Sequence, residues 1–182
     1  MGRCNWVDET SEIYIKYHDE EWGVPKYDDR DLFELLILEG FQAGLSWITI
    51  LKKRDAFKKA FDNFDVQKVA NYTTSKIDEL LNNKDIIRSR AKINAAIINA
   101  QIFIQIQKEF GNFSKYIWKF TQGRVIKNNG KQIFVKSPLS EIISKDMKHR
   151  GMKYVGPIIV YSYLQAIGIV NDHEVQCFRF NK

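Results

Sequence analysis

The stretch Lys148-His149-Arg150-Gly151-Met152-Lys153-Tyr154-Val155-Gly156-Pro157 decides the fold. A helix running from Leu139 ends in three basic residues, and Gly151 suits a left-handed C-terminal cap. Pro157 suits the first position of a second, apolar helix over Ile158 to Ile167. Together, about 139–168 predict a helix–hairpin–helix. Gly156 has no Cβ and lets a ligand approach the backbone. The free N–H groups at the second helix's start attract an anion, and Lys148, Arg150 and Lys153 add positive charge. A DNA phosphate fits such a site, although phosphate contacts position a protein without specifying sequence. An ordinary helical corner with two glycines would read the same way.

Working outward, the pattern stays helical. Asp28 caps an apolar helix from Arg30 to Gly40, and Ser46 caps another from Trp47 to Phe61. Short helices are expected from Asp65 through Ala70 and from Ser75 through Leu81. A long one is expected from Ile86 to Phe110, with Ala91, Ala95, Ile98 and Ile102 facing the core and Gly111 as its stop. A further short helix covers Phe113 to Phe120. From Thr121 to Ser137 the chain is polar, and Asn128-Asn129-Gly130 between β-prone runs signals a small peripheral hairpin or a loose loop. The expected fold is all-α and single-domain over residues 1–182. With 45% hydrophobic residues, 182 residues suffice for one core.

The formal net charge of +6 suits a polyanionic partner without requiring one. No apolar run is long enough to span a membrane, and Met1 to Trp6 lacks the apolar stretch of a signal peptide, so a cytoplasmic protein is expected. Nothing in the pattern calls for more than a monomer.

The two cysteines, Cys4 and Cys177, lie at opposite ends, where a disulfide is not expected in a reducing compartment. His173 and Cys177 are four residues apart, a spacing that on a helix lets both meet one metal. Cys4 and His18 could complete a tetrahedral site joining the termini. With four protein ligands such a metal is structural; unrelated core residues are the plain alternative. His149 is expected at the surface.

Trp6, Trp22 and Trp47 crowd the first quarter, with Tyr14 and Tyr17 between them. Glu39 interrupts the apolar run Leu35 to Phe41, either on an outer face or buried for a reason. Spacing does not choose between these.

Arg3-Cys4-Asn5-Trp6, Tyr17 to Pro25, Leu38 to Trp47, Gly151 to Gly156 and Asn171-Asp172-His173 closely resemble the 3-methyladenine DNA glycosylase I family, often called Tag. The resemblance covers nearly the whole chain, with 121–137 and the last few residues individual. It implies the helix–hairpin–helix glycosylase superfamily, and one structural Zn2+ on Cys4, His18, His173 and Cys177. It implies a damaged-base pocket of Glu39, Tyr17, Trp47, Trp6 and Tyr14, with Glu39 central to catalysis. Gly44 and Leu45 are expected to fill the gap left in double-stranded alkylated DNA after flipping, and Gly151, Lys153, Tyr154 and Gly156 to meet the DNA. The implied reaction is hydrolytic release of 3-methyladenine without strand cleavage.

Superfamily relatives carry a catalytic aspartate near Asp172, in a role this family is understood to lack. Asp172 is therefore expected to support His173 or to cap a helix. A non-catalytic DNA-binding module, a metal-dependent hydrolase, and a base preference shifted by Phe41 are the rival readings.

Overall fold

The computed structural model describes residues 2–130, 132 and 134–181. Its helices are α1 (Glu12–Glu20), α2 (Asp29–Gln42), α3 (Trp47–Ala60), α4 (Val66–Ala70), α5 (Thr74–Asn82), α6 (Arg90–Phe110), α7 (Phe113–Trp118), α8 (Pro138–His149) and α9 (Pro157–Ala166). Two short 3-10 turns (Asp62–Phe64 and Lys119–Thr121) and two two-residue strands, β1 (Ile126–Lys127) and β2 (Val170–Asn171), complete the described elements. No described helix is long and apolar enough to cross a membrane.

The fold is organised around α2. Asp28 accepts from the backbone N–H groups of Arg30 and Asp31 and starts this helix as expected. Leu32, Phe33, Leu35, Leu36, Ile37 and Leu38 are all buried, so α2 is apolar on every side. It packs against α3, α6, α7 and α9. Asp29 reaches across the chain to accept from the N–H groups of Phe113 and Ser114, adding an anchor at the start of α7.

The helix–hairpin–helix forms as predicted. Ser137 and Ser140 cap α8 reciprocally, and Pro138 and Pro157 open α8 and α9. Gly151 is left-handed, with φ +99°. The fully buried Ser144 hydroxyl donates to the Val155 carbonyl at 2.6 Å and ties the hairpin to α8.

Several expectations are corrected. The long helix begins at Arg90 rather than Ile86, because Ser89 caps it through Lys92 N–H. Its core stripe is Ile93, Ala96, Ile97, Ala100, Phe103 and Ile106, together with Ala95 and Ile102. Ala91 is exposed and Ile98 half-buried; both face a shallow groove beside Lys153 and Tyr154. The fifth helix is capped by Thr73 rather than begun at Ser75. Helix α1 had no counterpart in the sequence reading. Among the described residues of 121–137, expected as a hairpin or a loose loop, no hairpin pairing forms; Ile126 and Lys127 pair in parallel with Val170 and Asn171. The β-prone run found its partner after α9, a pairing that no local turn signal reports. Ile133, in the second β-prone run from Gln132 to Val135, lies outside the described residues.

Gly168 makes the turn from α9 into β2. It has φ +75°, and a Cβ there would lie 2.3 Å from backbone atoms of Val24 and Pro25. Gly168→Ala is therefore expected to cost at least 2 kcal/mol of stability, roughly the sum of left-handed strain and the clash. Urea unfolding checks this, and a midpoint unchanged from wild type would refute the close crossing.

Candidate active site and metal group

Because α2 is enclosed on all sides, both of its inward glutamates are desolvated, and their surroundings differ. Glu34 meets Arg54 at 2.6 Å and Lys58 at 3.5 Å. Glu39 is 3% exposed, and its Oε2 has no hydrogen-bond partner among the described residues. Burial alone pushes its carboxyl up to about 8, from an ordinary 4.5. A buried carboxyl without a partner is costly, and its position is informative. It lines a cleft of about 460 Å3.

The cleft's walls are aromatic. Trp6 meets Tyr14 and Trp22 edge-on, with ring centroids 5.2 and 5.0 Å apart, and Tyr17 tilts against Trp47 at 5.4 Å. Burial raises the Tyr17 phenol well above its usual value, with the Glu39 charge adding to this, so it stays neutral. The Trp47 indole N–H is also buried without a partner. Among the described residues the cleft thus includes an unpartnered buried acceptor and an unpartnered buried donor between π-faces, which suits a flat, nitrogen-rich ring.

All five expected base-pocket residues line this cleft. Trp22, Gln42, Ser162, Gln165 and Asp172 line it too, and sequence reasoning did not place them there. Ser162 and Gln165 come from α9, three residues apart on one helical face, but nothing in an apolar helix announces which face meets a cavity. Phe41, by contrast, is core: it packs against Phe57 and Phe61, so it does not shape the cleft wall. Asp172 is not a helix cap either. It accepts from Tyr161, Gln165 and Asn128.

The expected DNA-facing residues occupy two loops that α6 supports. The Lys92 ammonium donates to the carbonyls of Phe41 and Ala43 at 2.8 and 2.6 Å, fixing the turn that exposes Gly44 and Leu45. Asn99 clamps the backbone of Lys153 on both sides, accepting from its N–H at 2.8 Å and donating to its carbonyl at 2.9 Å. Lys153 is exposed, and the space a Cβ would fill at Gly156 is open. Tyr154 adopts φ +54°, and its Cβ lies 3.5 Å from where one would stand at Gly40. Arg150 is not available to a phosphate as expected, since Glu109 and Asp146 engage it. His149 is exposed, as expected.

At the other end of the aromatic wall, Cys4, His18 and Cys177 bring their donor atoms within 4.8 Å of one another, and all three are buried. The cysteines are free thiols. His173 lies alongside, its ring 5.3 Å from that of His18, with Nε2 buried and unpartnered. Each imidazole is oriented through its other nitrogen: His18 Nδ1 meets Asp19 at 2.7 Å, and His173 Nδ1 meets Asn171 at 2.9 Å. Arg3 in turn holds Asp19 through a forked contact. Soft donors with oriented imidazoles suit a metal ion. His173 and Cys177 do not share a helix as their spacing suggested; 173–177 is irregular and turned, and the chain reversal brings Cys177 to His18.

A family profile described as Methyladenine glycosylase matches residues 6–180. The chain belongs to the methyladenine glycosylase family. Within that family it is 43% identical over 178 residues to a DNA-3-methyladenine glycosylase of Haemophilus influenzae, covering 96% of each chain. It is 44% identical over 186 residues to DNA-3-methyladenine glycosylase 1 of Escherichia coli K12, covering 97% of this chain and 96% of that one. A crystal structure of 3-methyladenine DNA glycosylase I superposes with a TM-score of 0.93 at 43% identity, covering 98% of this chain and 99% of that one. A tyrosine-to-phenylalanine variant of such an enzyme, in complex with 3-methyladenine, superposes with a TM-score of 0.92 at 36% identity, covering 98% and 97%.

The raised Glu39 carboxyl makes a stability prediction. Between about pH 4.5 and 8 the folded chain holds a proton that the unfolded chain has released. Stability contributed by this group therefore falls as pH rises through that window. Glu39→Gln removes the dependence, so the variant's gain over wild type should grow by about 1.4 kcal/mol per pH unit. Paired unfolding curves at pH 5 and pH 8 measure it; a pH-independent difference would mean that Glu39 is solvated.

Proposed function

We propose that this chain is a monofunctional DNA glycosylase that hydrolyses the N-glycosidic bond of 3-methyladenine in alkylated double-stranded DNA, releasing the base and leaving an abasic site. It would act in base-excision repair as a cytoplasmic monomer. The observation that carries this reading is the buried, unpartnered Glu39 carboxyl among aromatic faces. Membership in a family whose named members are 3-methyladenine glycosylases supports it.

The chemistry follows from the charges. The target base lies inside the stack, so its nucleotide is flipped out, at lower cost when alkylation weakens stacking and pairing. Gly44 and Leu45 stand exposed between the helix that carries Glu39 and the helix that begins at Trp47, so they would fill the vacated gap. The hairpin from Gly151 to Gly156, with Lys153 exposed, would hold the backbone phosphate.

While attached to deoxyribose, 3-methyladenine carries a positive charge. The aromatic faces attract it by about 0.5–2 kcal/mol per contact. Glu39 meets the cation as a carboxylate, because a neighbouring positive charge offsets the desolvation that otherwise keeps it protonated. Neutral adenine would leave that buried group poorly paired and is disfavoured.

A cationic base departs without an acid, the sugar develops oxocarbenium character, and water completes hydrolysis. A base that leaves as a neutral molecule by hydrolysis needs no Schiff base, so no strand cleavage is expected. A plain DNA-binding module would have no use for a desolvated carboxyl at the base of a cleft.

We also infer that the buried group at the termini holds one Zn2+, with Cys4, His18 and Cys177 as ligands and His173 as the fourth. Four protein ligands leave no position for water, so the ion would be structural, fastening the N-terminal segment to the C-terminal one. Cys177→Ser is expected to reduce bound zinc and to lower Tm by several degrees or more. Metal analysis alongside thermal melting reads both, and a variant with wild-type metal content and Tm would remove the zinc assignment.

The decisive experiment is base release from methylated DNA, with the freed bases resolved by chromatography. Wild type should release 3-methyladenine, and Glu39→Gln should do so about 10- to 100-fold more slowly, a loss of roughly 1.4–2.8 kcal/mol. DNA binding without release of any base would favour the binding module instead.

A further inference from the structure

One wall of the cleft comes from the stretch that the sequence reading set aside as individual. Gly130, Gln132 and Phe134 line it. Three hydrogen-bonded attachments at Asn128 and Gly130 help to hold this stretch in place. The Asn128 N–H donates to the Asn171 carbonyl at 3.1 Å, and the Val175 N–H donates to the Gly130 carbonyl at 3.2 Å. The third is made by side chains: the Asn128 amide nitrogen donates to Asp172 Oδ1 and, at 3.0 Å, to the Tyr161 hydroxyl.

Asp172 is the shared acceptor. Its Oδ2 accepts from Tyr161 at 2.5 Å and from Gln165 at 2.6 Å, while Oδ1 takes Asn128. Tyr161 is 2% exposed and itself accepts from Asn128, so the three side chains form a closed ring. Both oxygens are thus occupied, Oδ2 by donors from α9 and Oδ1 by Asn128. Such a network is stiff because each member is satisfied by the others. A carboxylate so engaged is poorly placed to take a proton from water.

We propose that Asp172 is a positioning residue for base recognition, latching the wall that Gly130, Gln132 and Phe134 supply to α9 through Asn128 and so setting the width of the base cleft. This rests on the reading of the cleft as a base site. The latch also explains why a carboxylate stands at a cleft wall without being used in the chemistry derived above. Asp172 adjoins His173, so the wall is anchored next to the segment that carries the buried metal group.

Three variants test it. Asn128→Ala removes the wall's side of the latch and leaves Tyr161 and Gln165 on Asp172. It should raise KM for methylated DNA about five- to tenfold, keep kcat within about twofold, and widen the range of methylated purines released. Asp172→Asn keeps an oxygen for Tyr161 and Gln165 but turns an amide N–H toward the Asn128 amide, donor against donor; the same KM rise is expected. Combining it with Asn128→Asp restores a donor facing an acceptor and should return KM to within about twofold of wild type.

Amide hydrogen exchange at Asn128 and Val175 provides a readout independent of turnover. It should quicken about tenfold in either single variant and recover in the double. If Asp172→Asn abolishes kcat, the double does not recover it, and Asn128→Ala changes nothing, then Asp172 acts on the sugar and the proposal is wrong. Unchanged exchange and KM in both single variants would equally overturn it. If wild type released no base, the reading of the cleft would fall, and the exchange rates alone would still decide whether the latch exists.

Discussion

The structure depends on one unfavourable act, the burial of a carboxyl without a partner. Helix α2 passes through the centre of the molecule and carries two inward glutamates five residues apart. Glu34 is matched by Arg54 and Lys58, so its burial is compensated internally. Glu39 is compensated by nothing within the described chain and is pushed up to about 8. That imbalance is what the proposed base site rests on, since a ligand bearing positive charge and hydrogen-bond donors would relieve it. The aromatic residues around it fit the same reading, because their faces favour cations.

The aromatic walls beside Glu39 are themselves supported from behind. Trp6 packs its ring 5.4 Å from that of His18, and Trp22 lies 4.6 Å from His173. The buried cysteine–histidine group therefore does more than join the chain's ends, because the same imidazoles form the back of the aromatic wall. Asn5 reinforces this from the rim, its backbone and side chain both donating to Glu174. Helix α6 plays the matching part on the opposite side. Through Lys92 it fixes the turn after α2, and through Asn99 it fixes the hairpin before α9. Both surfaces expected to meet DNA are thus referenced to one rigid element, and Tyr154 accepts a left-handed backbone to pack against Gly40 of the helix that carries Glu39. A site whose parts share rigid supports holds its geometry to the tolerance that recognition requires.

What the sequence by itself determined is what local chemistry and motif order can specify. Asp28, Pro157, Gly111 and Gly151 announce helix ends because caps and turn conformations depend on a few adjacent residues. The motif set around Cys4, Tyr17 to Trp22, Glu39 to Trp47 and Gly151 to Gly156 named the family, and with it the residues that the fold then gathered around one cleft. Only the tertiary structure decided the rest, for reasons that are all non-local. Whether Glu39 faced water or the interior depended on what surrounds α2, and a helix that is apolar all round carries no periodic signal of its own. Ile126 and Lys127 looked like half of a hairpin, yet their partner is Val170 and Asn171, and pairing across that distance leaves no trace in turn residues. His173 and Cys177 looked helical by spacing, but they sit in a turned segment whose path is set by the chain returning to Cys4 and His18. Asp172 could not be distinguished from a helix cap until Asn128, Tyr161 and Gln165, drawn from two separate parts of the chain, were seen to converge on it.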